Sequence, residues 1–415
     1  MASEQPFADL LVLELASVLA GPSVGQFFAE LGATVIKIEN ISTRGDVTRN
    51  WKTATENSET DISAYFSCAN WGKRSVALDL KNPDGLHAVH ELAKQADLVI
   101  ASYKPGDAEK LQVDYKTLSE INPKLLYGHI TGYGSCSSRA GYDAVIQAES
   151  GLMFINGQPE NEPTKLPIAF VDLLAAHQLK EGLLTALYLR EKTGKGKLVE
   201  ISLLDAALTS LANQGTNYLV AGFNPQRSGS EHPNIVPYGT IFQTSDQKQL
   251  ILAIGDDRQF RNLCEVLGEP ALAEDELFRK NAGRVKNRSI LNEKLRQLIA
   301  AFPLEFLLSE LERRFVPAGA VKDIATALES PAAKALQLQS ENATFKGLKT
   351  VGFKLEKVGP EIVLPPPHFG EHTFQVLKTY ANVPEISLDA LQTTGAIYQN
   401  PQAGSFHNPS PQNKV

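Results

Sequence analysis

Few residues of this chain combine a type and a spacing that could do chemistry. Asp172 is the most informative acid: it follows the apolar run Ile168-Ala169-Phe170-Val171 and precedes Leu173-Leu174-Ala175-Ala176, the opening of a long stretch with helical character. A carboxylate at that place can cap the helix by accepting backbone N–H bonds. The same N–H groups and the helix dipole can also hold it ionised, the state a carboxylate nucleophile needs. The residues alone leave both roles open. His87 and His90 stand three apart beside Glu91 with no third ligand evident, so they read as a solvated helix face rather than a zinc site. His368 and His372 fall in residues 365–372, where a turn is the simpler reading, and no G-x-S-x-G elbow exists to make either part of a hydrolase triad. Gly21 and Gly25 do not form G-x-G-x-x-G and no Walker loop occurs, which argues against a nicotinamide oxidoreductase. Gly21-Pro22 suits the first turn of a helix whose N-terminus could receive an anion or a carbonyl. Cys68, Cys136 and Cys264 are far apart and odd in number, so neither a disulfide framework nor a CxxC metal site is expected.

The elements that must position these residues are legible from periodicity. Residues 10–15 form an apolar run interrupted by Glu14, and residues 35–38 a second; between them Val24, Phe27, Phe28 and Leu31 fall on one helical face. The alternation continues with strands at 76–80, 98–101 and 125–130 and a helix at 83–96. Such βαβ units predict an α/β fold with a mostly parallel sheet and ligands at the carboxyl ends of its strands. One long helix is expected over 172–192, a strand over 198–202 and a helix over 203–219. Residues 224–237, rich in Gly, Pro, Ser and Asn, read as a linker. Two strands turning at Asp246-Gln247-Lys248 and helices over 257–267, 288–301 and 304–314 then predict a smaller α+β unit. A further irregular stretch lies near 330–349, a helix is expected over 374–380, and the Gln-, Asn-, Pro- and Gly-rich tail from Thr394 reads as unpacked.

At 415 residues the chain has room for two or three domains, and 43% hydrophobic with 21% charged residues is a globular balance. The 40 Lys+Arg against 47 Asp+Glu leave a formal charge of -7, which argues against a nucleic-acid binder while allowing a local basic patch for an anionic ligand. No apolar run approaches the ~18 residues of a membrane span, and the first residues lack signal-peptide order, so a cytoplasmic protein with no membrane partner is expected.

Several segments together resemble the class III CoA-transferases, the family of formyl-CoA transferase and carnitine CoA-transferase. They are Val12-Leu13-Glu14-Leu15, Leu19-Ala20-Gly21-Pro22, residues 31–39, Gly45-Asp46-Val47-Thr48-Arg49 and residues 70–81. Gly132-Tyr133-Gly134, Gly141-Tyr142-Asp143, residues 147–153, residues 190–196 and Gly370-Glu371-His372-Thr373 follow in the same order. The match runs to about residue 380. The resemblance implies a doubly wound, Rossmann-like large domain with an inserted small α+β domain, and two chains threaded as interlocked rings in an obligate homodimer. On that basis residues 1–222 begin the large CoA-binding domain, 223–237 and 331–349 are linkers, 238–330 form the small domain, 350–393 complete the large one, and 394–415 are a flexible tail.

The resemblance also assigns roles. Asp172 stands where the family keeps its catalytic aspartate. Leu19 and Ala20 fall beside the thioester end of coenzyme A; Asn40, Leu78, Asp79, Leu80, Lys81, Ser102, Tyr103, Lys104, Lys110, Thr131, Gly132, Tyr133 and Gly134 fall along its nucleotide and pantetheine. Lys104 and Lys110 suit phosphate, which needs cations or N–H donors when it leaves water. Trp51, Tyr65 and Tyr142 are candidates to line an acyl pocket. Three departures argue against formyl or oxalyl transfer: formyl-CoA transferase has an arginine where this chain has Asn40 and a glutamine where it has Leu19, and its glycine-rich loop is not found after Pro237.

The same fold carries α-methylacyl-CoA racemases, which need an acid and a base on opposite faces of the substrate. Their histidine position is Tyr142 here, a poor base at neutral pH. Transfer of CoA from an acyl-CoA donor to a small carboxylic acid, through an aspartyl–CoA thioester on Asp172, is therefore the expected activity, with acyl-CoA as substrate and no metal or permanently bound cofactor. Racemisation and a catalytically silent CoA-binding protein are the alternatives.

Overall fold

The computed structural model describes residues 5–341, 344–356, 358 and 363–401. They divide into two compact units, one built from the described parts of Met1–Ser150, Pro167–Gly215 and Ala335–Val415, the other from Gly151–Leu166 and Thr216–Lys334.

The first unit is organised by a seven-stranded sheet. Its strands are β1 (Leu11–Leu15), β2 (Thr34–Asn40), β3 (Lys73–Leu78), β4 (Leu98–Ala101), β5 (Leu126–Thr131), β6 (Lys197–Ser202) and β12 (Ile397–Tyr398), while β10 (Gln337–Gln339) and β11 (Lys346–Leu348) form a separate antiparallel pair. The order across the large sheet is β12-β3-β2-β1-β4-β5-β6. All pair in parallel except β12, which runs antiparallel to β3. The order reverses between β1 and β4. Ligands bind beyond the carboxyl ends at such a point, because the flanking loops there part to opposite faces.

Both faces are covered, as apolar strands buried on two sides require. Leu11, Leu13 and Leu15 face a core shared with Ala88, Val89 and Leu92 of helix Pro83–Gln95 and with Val376 and Leu377 of helix Thr373–Tyr380. On the other face Gly128 lies under Leu179 and Leu183 of the long helix Phe170–Thr193, and a side-chain carbon there would meet them at 3.1–3.2 Å. Gly182 on that helix lies so close to β6 that an added Cβ would fall 2.5 Å from Val199. The long helix precedes β6 and runs counter to it, so its N-terminus lies at the carboxyl edge of the sheet. So does that of the first helix, Ala20–Glu30, which follows β1.

Local chemistry sets these boundaries. Asn82 caps helix Pro83–Gln95 by accepting from Asp84 N–H at 2.9 Å, with proline in its first turn. The long helix starts at Phe170, two residues before the sequence reading, which places Asp172 inside its first turn. The expected single helix over 203–219 is broken into Leu203–Thr209 and Ala212–Ala221, with Ala212 at φ +49°. The expectation of an unpacked tail from Thr394 is overturned at its start: Ala396 and Ile397 are buried, and β12 closes the sheet beside β3. Residues 402–415 lie outside the described residues.

The second unit is α+β. An antiparallel sheet of β7 (Tyr238–Gln243), β8 (Gln249–Ala253) and β9 (Ala318–Ala320) packs against helices Asp257–Val266, Arg288–Ile299 and Leu304–Arg313. Phe242, Leu250, Phe260, Leu263, Leu295 and Leu307 share its core. The β7–β8 turn falls where Asp246-Gln247-Lys248 predicts it, with Gln247 at φ +60°. Among the described residues no helix is long and apolar enough to cross a membrane, and no group of His, Cys, Asp and Glu is placed to hold a metal ion.

Candidate active site

The loop between β1 and the first helix is where the sheet's switch point meets a strained backbone. Val18 adopts φ +72°. A β-branched residue in the left-handed region costs on the order of 1–3 kcal/mol and persists only when its surroundings enforce it. Here three consecutive residues are anchored through their backbones: Ala16 O accepts from Lys37 Nζ at 2.8 Å, Ser17 N–H donates to Ser102 Oγ at 3.2 Å, and Val18 N–H donates to both oxygens of Asp46 at 3.2 and 3.3 Å.

Beneath that loop lies a buried ionic network. Glu14, the residue that interrupts the first apolar strand, is fully buried between two ammonium groups, Lys37 at 2.9 Å and Lys73 at 2.7 Å. Lys37 also pairs with Asp46 at 3.0 Å. Burial works against the charge on Asp46, yet Lys37 and the N–H and hydroxyl of Thr48 hold its carboxyl below the usual carboxylate range. A second cluster adjoins it: Arg49 pairs with Glu39 at 2.6 Å, and Glu39 accepts from Asp46 N–H and from Ser75 Oγ. The Gly370-Glu371-His372-Thr373 segment docks there, with Gly370 N–H donating to Ser75 Oγ at 2.9 Å and Thr373 Oγ1 accepting from Ala77 N–H at 3.0 Å. Gly370 has φ +65° and sits against Tyr398, so it has neither the conformation nor the room for a side chain.

Asp172 occupies the third position of the long helix and is half-buried. The helix receives no side-chain cap from its own N-cap residue, Ala169. Asp143 takes that duty from a distance: its Oδ1 accepts from Val171 N–H at 2.7 Å, while its Oδ2 accepts from Gln147 Nε2 at 2.6 Å. Burial, and then the charge of Asp143, push the Asp172 carboxyl up to about 7. A carboxyl so raised carries a readily shared electron pair once ionised, because little in its surroundings stabilises the charge. Asp143 is fixed by a close backbone crossing two residues upstream, where Gly132 and Gly141 approach so tightly that a Cβ on Gly141 would fall 2.4 Å from Gly132 Cα.

The residues expected from sequence distribute as follows. Asn40, Leu78, Asp79, Leu80, Lys81 and Tyr103 line one cleft of about 210 Å³ at the carboxyl ends of β2, β3 and β4, together with Ser17, Lys37 and Asp46. Asn40 turns its side chain back to accept from Ser42 N–H and Oγ. Leu19 and Ala20 are buried at the start of the first helix, and Ser102 holds the loop before it. Lys104 is exposed; Lys110 is exposed and pairs with Asp107 at 2.9 Å. Thr131 is buried and accepts from Gly134 N–H at 2.9 Å, Gly132 makes the backbone crossing, and Tyr133 lies under the Arg139 guanidinium at 4.1 Å. Trp51 and Tyr65 meet edge to face at 5.0 Å. Burial, and then the charge of Asp172, push the Tyr65 phenol up to about 12, which makes it a neutral neighbour of the nucleophile candidate. Tyr142 is 66% exposed. His90 turns to the Gln112 carbonyl at 2.8 Å and His87 lies 3.9 Å from Glu91, the solvated arrangement read from their spacing. The capping role of Asp143 was not read from sequence; the signal was an acid at the start of a helix 28 residues before Val171, too distant for any local pattern.

The sequence profile of CoA-transferase family III matches residues 7–373. The chain is similar to the succinate–glutarate CoA-transferase of Agrobacterium fabrum, with 38% identity over 90% of this chain and 95% of that one. It is similar to the human succinyl-CoA:glutarate CoA-transferase, with 31% identity over 96% of this chain and 92% of that one. A solved structure of a CAIB/BAIF family protein from Brucella suis superposes with a TM-score of 0.80 and 36% identity, covering 90% of this chain and 98% of that one. The Agrobacterium and human relatives are named CoA-transferases, which leaves the racemase alternative unfavoured. The profile match over nearly the whole length and the identity with these transferases place this chain, with its α/β sheet reversed beside β1, in CoA-transferase family III, an enzyme acting on CoA thioesters.

Proposed function

We propose that Asp172 is the nucleophile of this transferase and that CoA passes between two short dicarboxylic acids by way of an aspartyl–CoA thioester. The observation that carries the reading is the division of labour at the long helix: Asp143 accepts the helix N–H bond, so the Asp172 carboxylate is not consumed as a cap. The dicarboxylate class is taken from the succinate and glutarate of the relatives.

In the proposed cycle an Asp172 oxygen attacks the thioester carbonyl carbon of the donor. The C–S bond breaks, CoA leaves as thiolate with the electron pair, and a mixed anhydride remains. The thiolate then attacks the aspartyl carbonyl, expelling the donor acid as carboxylate and leaving the aspartyl–CoA thioester. An acceptor carboxylate attacks the aspartyl carbonyl of that thioester, the C–S bond breaks and CoA leaves as thiolate from a second mixed anhydride; the thiolate then attacks the acceptor's acyl carbon, the anhydride C–O bond breaks, and Asp172 departs as carboxylate. Each displacement replaces one hard exchange by two easier ones and consumes no proton. The CoA would lie over the cleft at the carboxyl edge of the sheet, its thioester end at Leu19 and Ala20, its nucleotide and pantetheine along the residues from Asn40 to Gly134 named above. Trp51, Tyr65 and Tyr142 would wall the acyl group. The enzyme would work in the cytoplasm as an interlocked homodimer; Tyr188, Leu219 and Val220, exposed apolar side chains of the long helix and of helix Ala212–Ala221, are surfaces a second subunit would cover.

The test is covalent. Incubation with succinyl-CoA and no acceptor, followed by hydroxylamine and peptide mass spectrometry, is expected to yield a hydroxamate on the Asp172 peptide. Transfer proceeding with that peptide unmodified sinks the mechanism. A pH profile checks the electrostatics: Asp143→Asn removes the neighbouring charge that raises Asp172, so the acidic limb of kcat should move down by roughly 0.5–1 pH unit.

A further inference from the structure

Asp46 is buried, belongs to the large unit and makes no contact with the nucleophile helix among its hydrogen bonds, yet its carboxylate gathers two walls of the site. On one side it receives Val18 N–H, the donor of the one left-handed residue in the β1 loop. On the other it receives the N–H and hydroxyl of Thr48 at 3.0 and 2.8 Å. Thr48 O in turn accepts from Ser63 Oγ at 2.6 Å, and Ser63 caps the short helix Ala64–Ser67 that carries Tyr65, the phenol beside Asp172. Lys37 and the Glu39–Arg49 pair hold Asp46 itself: Lys37 Nζ lies 3.0 Å from Oδ2 and Glu39 accepts from Asp46 N–H at 2.9 Å.

We propose that Asp46 is a positioning residue for CoA transfer, holding Val18 in its left-handed turn and so fixing the Ala16–Leu19 loop against which the thioester end of acyl-CoA lies. The inference rests on the functional reading that this loop meets the thioester. A loop held by its backbone at three successive residues resists displacement by a ligand, and a reacting carbonyl misplaced by about 1 Å can lose a hundredfold in rate. The strain at Val18 is what makes the clamp necessary: without an acceptor for its N–H, a β-branched residue relaxes to negative φ and takes Leu19 and Ala20 with it. Glycine holds positive φ without help.

A double-mutant cycle separates this from a merely structural role. Asp46→Ala, which removes both acceptor oxygens, is expected to lower kcat/KM for succinyl-CoA by about 10- to 100-fold, Val18→Gly alone by no more than about threefold, and Asp46→Ala in the Val18→Gly background by only about threefold more. Equal losses from Asp46→Ala in both backgrounds overturn the proposal, as does a lowered melting temperature with kcat and KM unchanged. Should Asp46→Ala fail to fold, replacing the Val18 amide by an ester, through the α-hydroxy analogue of valine, removes the N–H donor. The same loss is then expected, and an unaltered kcat/KM overturns the assignment. The hydroxamate on wild-type Asp172 reports the functional reading independently, so its absence and a flat cycle are distinguishable failures.

Discussion

Asp172→Asn is expected to abolish CoA transfer and, above pH 7, to raise the unfolding temperature. The two effects share one cause. The folded chain lifts this carboxyl to about 7, far above the ~4 of an unfolded aspartate, so ionising it opposes folding. The sign follows directly: a raised carboxyl leaves the fold unpenalised while it is protonated, below about pH 4, and destabilises it progressively as pH climbs to 7, beyond which the loss is constant. A neutral asparagine avoids that loss, worth on the order of 2–4 kcal/mol at pH 8 and nothing at pH 3.5. A capping aspartate would behave differently: asparagine caps a helix as well as aspartate does, so the variant would gain no stability at pH 8, and only Asp172→Ala would weaken the helix, by about 1 kcal/mol. Thermal unfolding of both proteins at pH 8 and pH 4, beside a succinyl-CoA transfer assay, checks it; an active variant with no gain in stability at pH 8 returns Asp172 to the role of a cap.

Glu14→Gln is expected to be the most destabilising single substitution in the large unit, by about 3–5 kcal/mol at pH 7. Breaking one side of a buried ion pair leaves its partner charged and unsolvated, and here one glutamate serves two ammonium groups. Burial already pulls Lys73 down to about 8 against the attraction of Glu14. Without Glu14 it falls further, so the variant sheds the Lys73 proton at lower pH than the wild type does, and part of the stability lost at pH 6 should return by about pH 8, with no further recovery above it. Urea unfolding at pH 6 and pH 8 reads this out. A loss below ~1 kcal/mol would mean that water reaches the two ammonium groups. Gly25 carries the same constraint in steric form: a Cβ there would fall 1.9 Å from Glu14 Oε2.

Much of the large unit was legible because its cues are local. The apolar runs ending at Leu15 and Ile38, the face made by Val24, Phe27 and Phe28, and the Asn82-Pro83 start each depend on residues a few positions apart. Glu14 shows where that legibility stops. Read along the strand it is an interruption; only the pairing of β1 with β2, and of β2 with β3, brings Lys37 and Lys73 to it. The same holds for Asp143, whose partner is Val171 N–H, and for Asp46, whose partner is Val18 N–H. Asp172 stands out in the sequence as an acid at a helix start, but its place inside the first turn depends on the two preceding apolar residues already being helical. The break after Thr209 and the burial of Ile397 escaped because composition describes solubility, whereas a two-residue edge strand is set by the bonds waiting on β3.

That edge strand bears on how the protein is made. Asp79 N–H finds its acceptor in Ala396 O, and the Arg49 guanidinium finds one of its acceptors in Pro367 O. A nascent chain that has just emptied its first two hundred residues from the ribosome therefore holds a sheet with one open side and buried ions still wet. The large unit closes only when residues near 400 have emerged, so synthesis leaves a long interval in which the exposed β3 edge is open to chaperones or to the wrong strand.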